Sequence, residues 1–187
     1  MEGQLPQLVS LLAQRNRIDD AIAALIGRPA TPGHLGEFIA AAVFDIALYS
    51  SASHKAADGT FRAGPLRGKT VNIKLYGKQE GIIDVRGDAV PDFYLVLTGP
   101  KSGQGTSRGG TRPVIIEHVY IFLGQALLAT LKSRGTKVGV ASSVPQAEWN
   151  QAEIWPTPVS GHLKLEPAQA AGLGLFSGQA AADTLIP

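Results

Sequence analysis

The chain has no cysteine. That excludes a disulfide scaffold, a thiolate-ligated zinc site, an iron–sulfur cluster and a thiol nucleophile together. Aromatic residues make up only 6% and charged residues 17%, and the net charge is +2. Any case for an acidic partner therefore rests on where the charges sit, not on their sum. Long apolar runs are missing too. The longest, Phe38 to Phe44, is far too short to cross a bilayer. The opening MEGQLPQL has neither the basic start nor the apolar core of a secretory signal. These absences give the expectation of a soluble, cytoplasmic protein with no membrane partner. Against them stand 187 residues, 44% of them hydrophobic. That is enough for one sizeable core, so a single domain over 1–187 is expected. The 22 glycines and 12 prolines call for many turns.

The spacing predicts a helix over 5–26, with Leu5, Leu8, Leu12, Ile18, Ile22, Leu25 and Ile26 near the 3.6 period and Gly27 as its stop. Thr31 reads as the N-cap and Pro32 as the first residue of a second helix running to about Tyr49. Its expected stripe is Leu35, Ile39, Ala42, Val43 and Ile46, with Ala40, Ala41 and Phe44 making the other side apolar as well. Asp58-Gly59 reads as a turn, and TVNIKLY alternates as a strand should. Residues 82–85 read as a short strand or helix start. Phe93 to Leu97 fits a strand buried on both faces, and 99–113 a long loop. Strands are expected at Val114–Phe122 and Lys137–Ala141, and helices at Gln125–Arg134 and between the prolines of VPQAEWNQAEIWP. The Ala/Gly-rich tail, 157–187, either wraps the domain or pairs with a partner. The order predicts an α/β (α+β) protein with a central mixed β-sheet flanked by helices.

Chemistry concentrates in GEFIAAAVF…HKAADGTFRAGPLRGKTVNIKLY. In a strand, Asn72 and Lys74 project to one face while Val71, Ile73 and Leu75 bury to the other. A hairpin brings Asp58 across to Asn72, and Glu37 stands near a helix start. Carboxylates and neutral oxygens suit a hard divalent cation, and a lysine suits the charge that develops in phosphodiester hydrolysis.

These residues resemble the PD-(D/E)xK, restriction-endonuclease-like nuclease superfamily over roughly 33–123. The wider run from GRPATPGHLGEFIA to PDFYLVLTGP is similar to an uncharacterised bacterial family of that superfamily. The resemblance implies a nuclease-like core over 33–156 with an added N-terminal helix, a Mg²⁺ or Mn²⁺ cofactor and a DNA substrate. It places Asp58 at the hairpin aspartate, Lys74 at the motif lysine, Glu37 at the helix acid and Asn72 at the usual second acid. Asn72 brings no charge, so Glu80, with Asp84 behind it, is the alternative metal acid. Glu37 lies about 200° around its helix from Leu35, which suits the site only if the Ala40/Phe44 side faces the sheet. The resemblance thus implies a metal-dependent DNA nuclease or a catalytically degraded relative acting as a DNA-binding or assembly module.

Six basic residues, Lys55, Arg62, Arg67, Lys69, Lys74 and Lys78, surround one acid, Asp58, and the loop adds Lys101, Arg108 and Arg112. A basic stripe fits phosphate contact, and equally a lysine-guarded sheet edge. The Gly103–Gly109 run lacks a following helix, so a dinucleotide fingerprint is not expected, and no GxSxG elbow occurs. His118 and His162 have no evident spacing partner. The apolar stripe of 5–26 exceeds what a short domain readily covers, which predicts a homodimer through this helix or the tail.

Overall fold

Helix α1 (Gln4–Ile26) ends on Gly27, whose φ of 68° is a left-handed conformation that glycine adopts freely. Helix α2 (Pro32–Phe44) starts as expected: Pro32 opens it, and the Thr31 hydroxyl accepts from the His34 N–H at 3.4 Å. A computed structural model describes residues 3–50, 56–101 and 114–178. Within them, no helix is long and apolar enough to cross a membrane.

The second helix is shorter than its hydrophobicity suggests. It stops at Phe44 because Asp45 turns left-handed (φ 53°) and Arg62 holds it, guanidinium to carboxylate at 2.6 Å. Ile46–Leu48 then becomes β1 instead of a last helical turn, pairing with β2 (Gly59–Phe61) in the register Ile46↔Phe61. The buried stripe of α2 is accordingly Gly36, Ile39, Ala40 and Phe44, while Leu35 is only partly covered and Ala42 is exposed. Asp58-Gly59 is no turn either. Gly59 pairs with both Leu48 and Val71, and a Cβ there would sit 2.5 Å from the Ala47 carbonyl oxygen.

Strand β3 (Thr70–Tyr76) follows a 3-10 turn at Gly64–Leu66 and pairs antiparallel with β2. After the two-residue β4 (Ile82–Ile83), β5 (Phe93–Thr98) returns parallel to β3, with Lys74 opposite Val96. Next come β6 (His118–Leu123), α3 (Gly124–Ser133), β7 (Ser142–Ser143), α4 (Gln146–Ala152), β8 (Glu153–Trp155) and α5 (Pro167–Gly174). The sheet order is β1-β2-β3-β5-β6-β8, mixed, with one parallel pair; β4 and β7 form a separate antiparallel ribbon. Helices flank the sheet, which makes this an α/β fold. Three expectations shift. The strand placed at 137–141 is the ribbon at 142–143, and Val140 is exposed. The strand expected from Val114 begins at His118. The helix between the prolines yields to β8 because Glu153 and Trp155 pair with the edge of β6.

Two apolar layers sandwich the sheet. On one face Ile39, Ala40 and Phe44 of α2 and Leu173 of α5 pack on Val71, Ile73, Leu95 and Ile121. Here α2 approaches β3 so closely that a Cβ on Gly36 would lie 2.7 Å from Leu75 Cβ. The described part of the tail therefore wraps the domain. On the other face Leu127, Leu131 and Trp149 cover Tyr94, Val96, Tyr120 and Phe122. Trp149 meets both Tyr120 and Phe122 edge-on, at centroid distances of 4.8 and 5.1 Å.

Candidate active site

Along β3 the second apolar layer reaches only Tyr76. On that face β3 offers Asn72 and Lys74, registered against Tyr94 and Val96. Beside them opens a groove of about 390 Å³, lined by Asn72, Lys74 and Tyr94 with Asp84, Arg86 and Asp88 from the segment after β4. The alternation of TVNIKLY produces it directly: its apolar residues serve α2, and its polar ones are left to solvent and ligand.

Asp58 sits one residue before the Gly59↔Val71 pair. Its N–H donates to the Val71 carbonyl at 2.8 Å, and its carboxylate accepts from the Ile73 N–H at 2.6 Å. That N–H points along the sheet, so the carboxylate lies at the edge of β3, between the two faces. Lys74 faces it from the groove side, and Glu37 and Arg28 from the α2 side. Burial pushes its proton affinity above the ordinary carboxylate range. The Ile73 hydrogen bond opposes this, Glu37 adds to it, and Lys74 and Arg28 oppose it further.

Glu37 meets the condition set by the sequence, since the Gly36/Ala40/Phe44 side of α2 faces the sheet. Its carboxylate is ion-paired with Arg28, whose guanidinium also donates to the Tyr49 carbonyl at 3.3 Å. Glu37 and Lys74 thus lie within electrostatic reach of Asp58, and Asn72 and Lys74 line the groove, while neither Asp58 nor Glu37 is among its lining residues. Glu80 is not among them either, and pairs with Lys78 at 2.5 Å. Asp84 takes that place in the groove, its carboxylate accepting from the Ala141 N–H at 2.7 Å. Among the described residues no three His, Asp or Glu groups cluster tightly enough to hold a metal. What does suit a hard cation is the Asn72 side-chain oxygen, which is buried and has no hydrogen-bond partner among the described residues.

The basic stripe is less basic than its sequence. Arg62 pairs with Asp45 and Lys69 with Asp92, at 2.6 and 3.3 Å, and Lys78 pairs with Glu80. Lys101 pairs with Glu153 at 3.5 Å. Arg67 is exposed and makes no ion pair among the described residues. Lys55, Arg108 and Arg112 lie outside the described residues.

Sequence reasoning passed over two participants. Arg28 reads there as the opening of a linker, and nothing local links it to Glu37. Tyr94 reads as core, yet its ring borders the groove. Away from the groove, His118 finds its partner in Glu153, 2.7 Å away and 35 residues along the chain. No protein-family model, curated protein or solved structure matches the chain.

Proposed function

We propose that the chain is a cytoplasmic, homodimeric, restriction-endonuclease-like protein that engages DNA and hydrolyses its phosphodiester bonds slowly at the Asn72–Lys74 groove beside Asp58. The carrying observation is at β3: a half-buried Asp58 carboxylate held at the strand's edge by the Ile73 N–H, beside a groove that Asn72 and Lys74 line. Asp58 and Asn72 are the residues that would hold Mg²⁺ or Mn²⁺, which when bound polarises a phosphate and acidifies a water. Lys74 offers its ammonium to the negative charge gathering on the phosphate oxygens. Glu37 contributes little charge of its own because Arg28 neutralises it. A single carboxylate with an amide makes a poorly charged cation site, so binding at millimolar metal concentration and slow turnover are the expectation.

Plasmid nicking with Mn²⁺ and Mg²⁺ tests this. Slow cleavage, abolished in Asp58→Ala and Lys74→Ala, supports the proposal; cleavage that survives both substitutions overturns the site.

The amide of Asn72 and the ion-paired Glu37 favour a second reading, a relative that binds DNA without cutting it. In that case wild type retains DNA but leaves it intact, and Asn72→Asp gains measurable Mn²⁺ affinity by calorimetry. A chain that neither binds nor cleaves DNA overturns both readings.

A further inference from the structure

Helix α1 has no buried residue. Residues 4–18 are exposed throughout, and only Asp19, Ile22, Ala23 and Ile26 are partly covered, where the C-terminal end of the helix meets α2. Leu11, Ile18 and Leu25 are 54, 61 and 75% exposed, and Leu5, Leu8, Val9 and Leu12 add to them. The apolar area amounts to several hundred Å², at or above the roughly 300–600 Å² of the largest patch on ordinary monomers. In proteins most of a helix's stability comes from packing its apolar face against a partner.

The pattern names the partner. Leu8, Leu11, Arg15, Ile18, Ile22 and Leu25 fall at alternating three- and four-residue spacings, the a and d positions of a coiled coil. Read backwards the series matches itself: Leu8 with Leu25, Leu11 with Ile22, Arg15 with Ile18. An antiparallel copy therefore sets apolar against apolar at both ends. At the centre it puts Arg15 beside the Asp19 of the second copy, adding to the 3.6 Å pair Arg15 already makes within its own helix. A parallel, in-register pair would instead set Arg15 against Arg15, buried like charges. Leu5 and Leu12 lie on the side that faces α2 at the helix's other end, so antiparallel pairing lays them beside the body of the second copy.

We infer that α1 is an antiparallel, two-fold dimerisation helix whose occupant is a second copy of this chain, with the dyad near residues 16 and 17. This rests on the homodimer in the proposal above and is independent of the nuclease chemistry. The missing cysteines make it directly testable. Light scattering of the full chain at micromolar concentration should give twice 19.6 kDa, and Leu11→Glu with Ile18→Glu, both on exposed positions, should halve it with unchanged circular dichroism. Leu8→Cys alone should not cross-link, because its mate lies ~25 Å away along the helix. Leu8→Cys mixed with Leu25→Cys should give an oxidised dimer. A monomeric wild type overturns both the dimer and the seam. Self-cross-linking of Leu8→Cys overturns the antiparallel seam but leaves the dimer, and neither result bears on DNA cleavage.

Discussion

Strands β3 and β5 lie side by side and parallel, yet they meet their surroundings in opposite ways. Every residue of β5 is buried, whereas β3 buries Val71 and Ile73 on one face and presents Asn72 and Lys74 on the other. One strand closes both layers; its neighbour closes one and opens the groove. The site is therefore the place where an apolar layer ends, and a substitution on β3 should trade against function where its neighbour on β5 trades against stability.

The widest contrast comes from truncating one residue of each strand. Leu95→Ala, at a fully buried position, should cost about 2–5 kcal/mol in urea unfolding. Lys74→Ala, on the open face, should stay within about 0.5 kcal/mol. Equal losses would break the comparison.

A smaller effect lies where the two strands begin. Asp92, just before β5, accepts from the Thr70 N–H and hydroxyl at 2.9 and 2.8 Å, and its own N–H donates to the Thr70 hydroxyl oxygen. Asp92→Ala should cost about 1–2 kcal/mol. The backbone N–H of Thr70, then its hydroxyl and Lys69, hold the Asp92 carboxyl below its ordinary value of 3.8. The native state thus binds protons less readily than the unfolded chain. The stabilisation is complete above the ordinary value and is lost as pH falls through the depressed one. Acid unfolding that is identical in wild type and Asp92→Ala would refute the clamp.

The smallest effect carries the opposite sign. Burial raises the Asp58 carboxyl above 3.8, so the native state binds a proton more readily than the unfolded chain, and stability falls as pH rises through that raised value. Asp58→Asn keeps an acceptor for the Ile73 N–H without the charge. It should melt slightly higher than wild type near neutral pH, with the gain shrinking on acidification and with Mn²⁺ stabilising wild type alone. A lower melting temperature at neutral pH would count against Asp58 as a strained, functional carboxylate.

The contrast between β3 and β5 was legible because it is local: alternation in TVNIKLY, a continuous run in FYLVL. What depends on distant pairing was not. The apolar stretch from Phe38 runs on through Ile46 and Leu48 as if helical, and the break at Asp45 is decided by Arg62 and by Phe61 across the sheet. The strand at 142–143 exists because Ile82 and Ile83 pair with it. The site divides in the same way. Asn72 and Lys74 follow from a period of two, while the choice of Asp84 over Glu80 depends on how the segment after β4 folds back toward Ala141. Charge misleads for the same reason, since Asp45 and Asp92 lie outside the window in which the basic residues were read, yet fold onto Arg62 and Lys69.

Asp58, lying in the plane of the sheet, listens to both of its sides. Arg28 does not line the groove, yet it pairs with Glu37 and lowers the hold of the Asp58 carboxylate on a proton. The acidity of Asp58 is in this way set partly by an ion pair that need never meet a ligand. Evolution could retune the pH range of such a site at residue 28 while leaving every group that lines the opening unchanged.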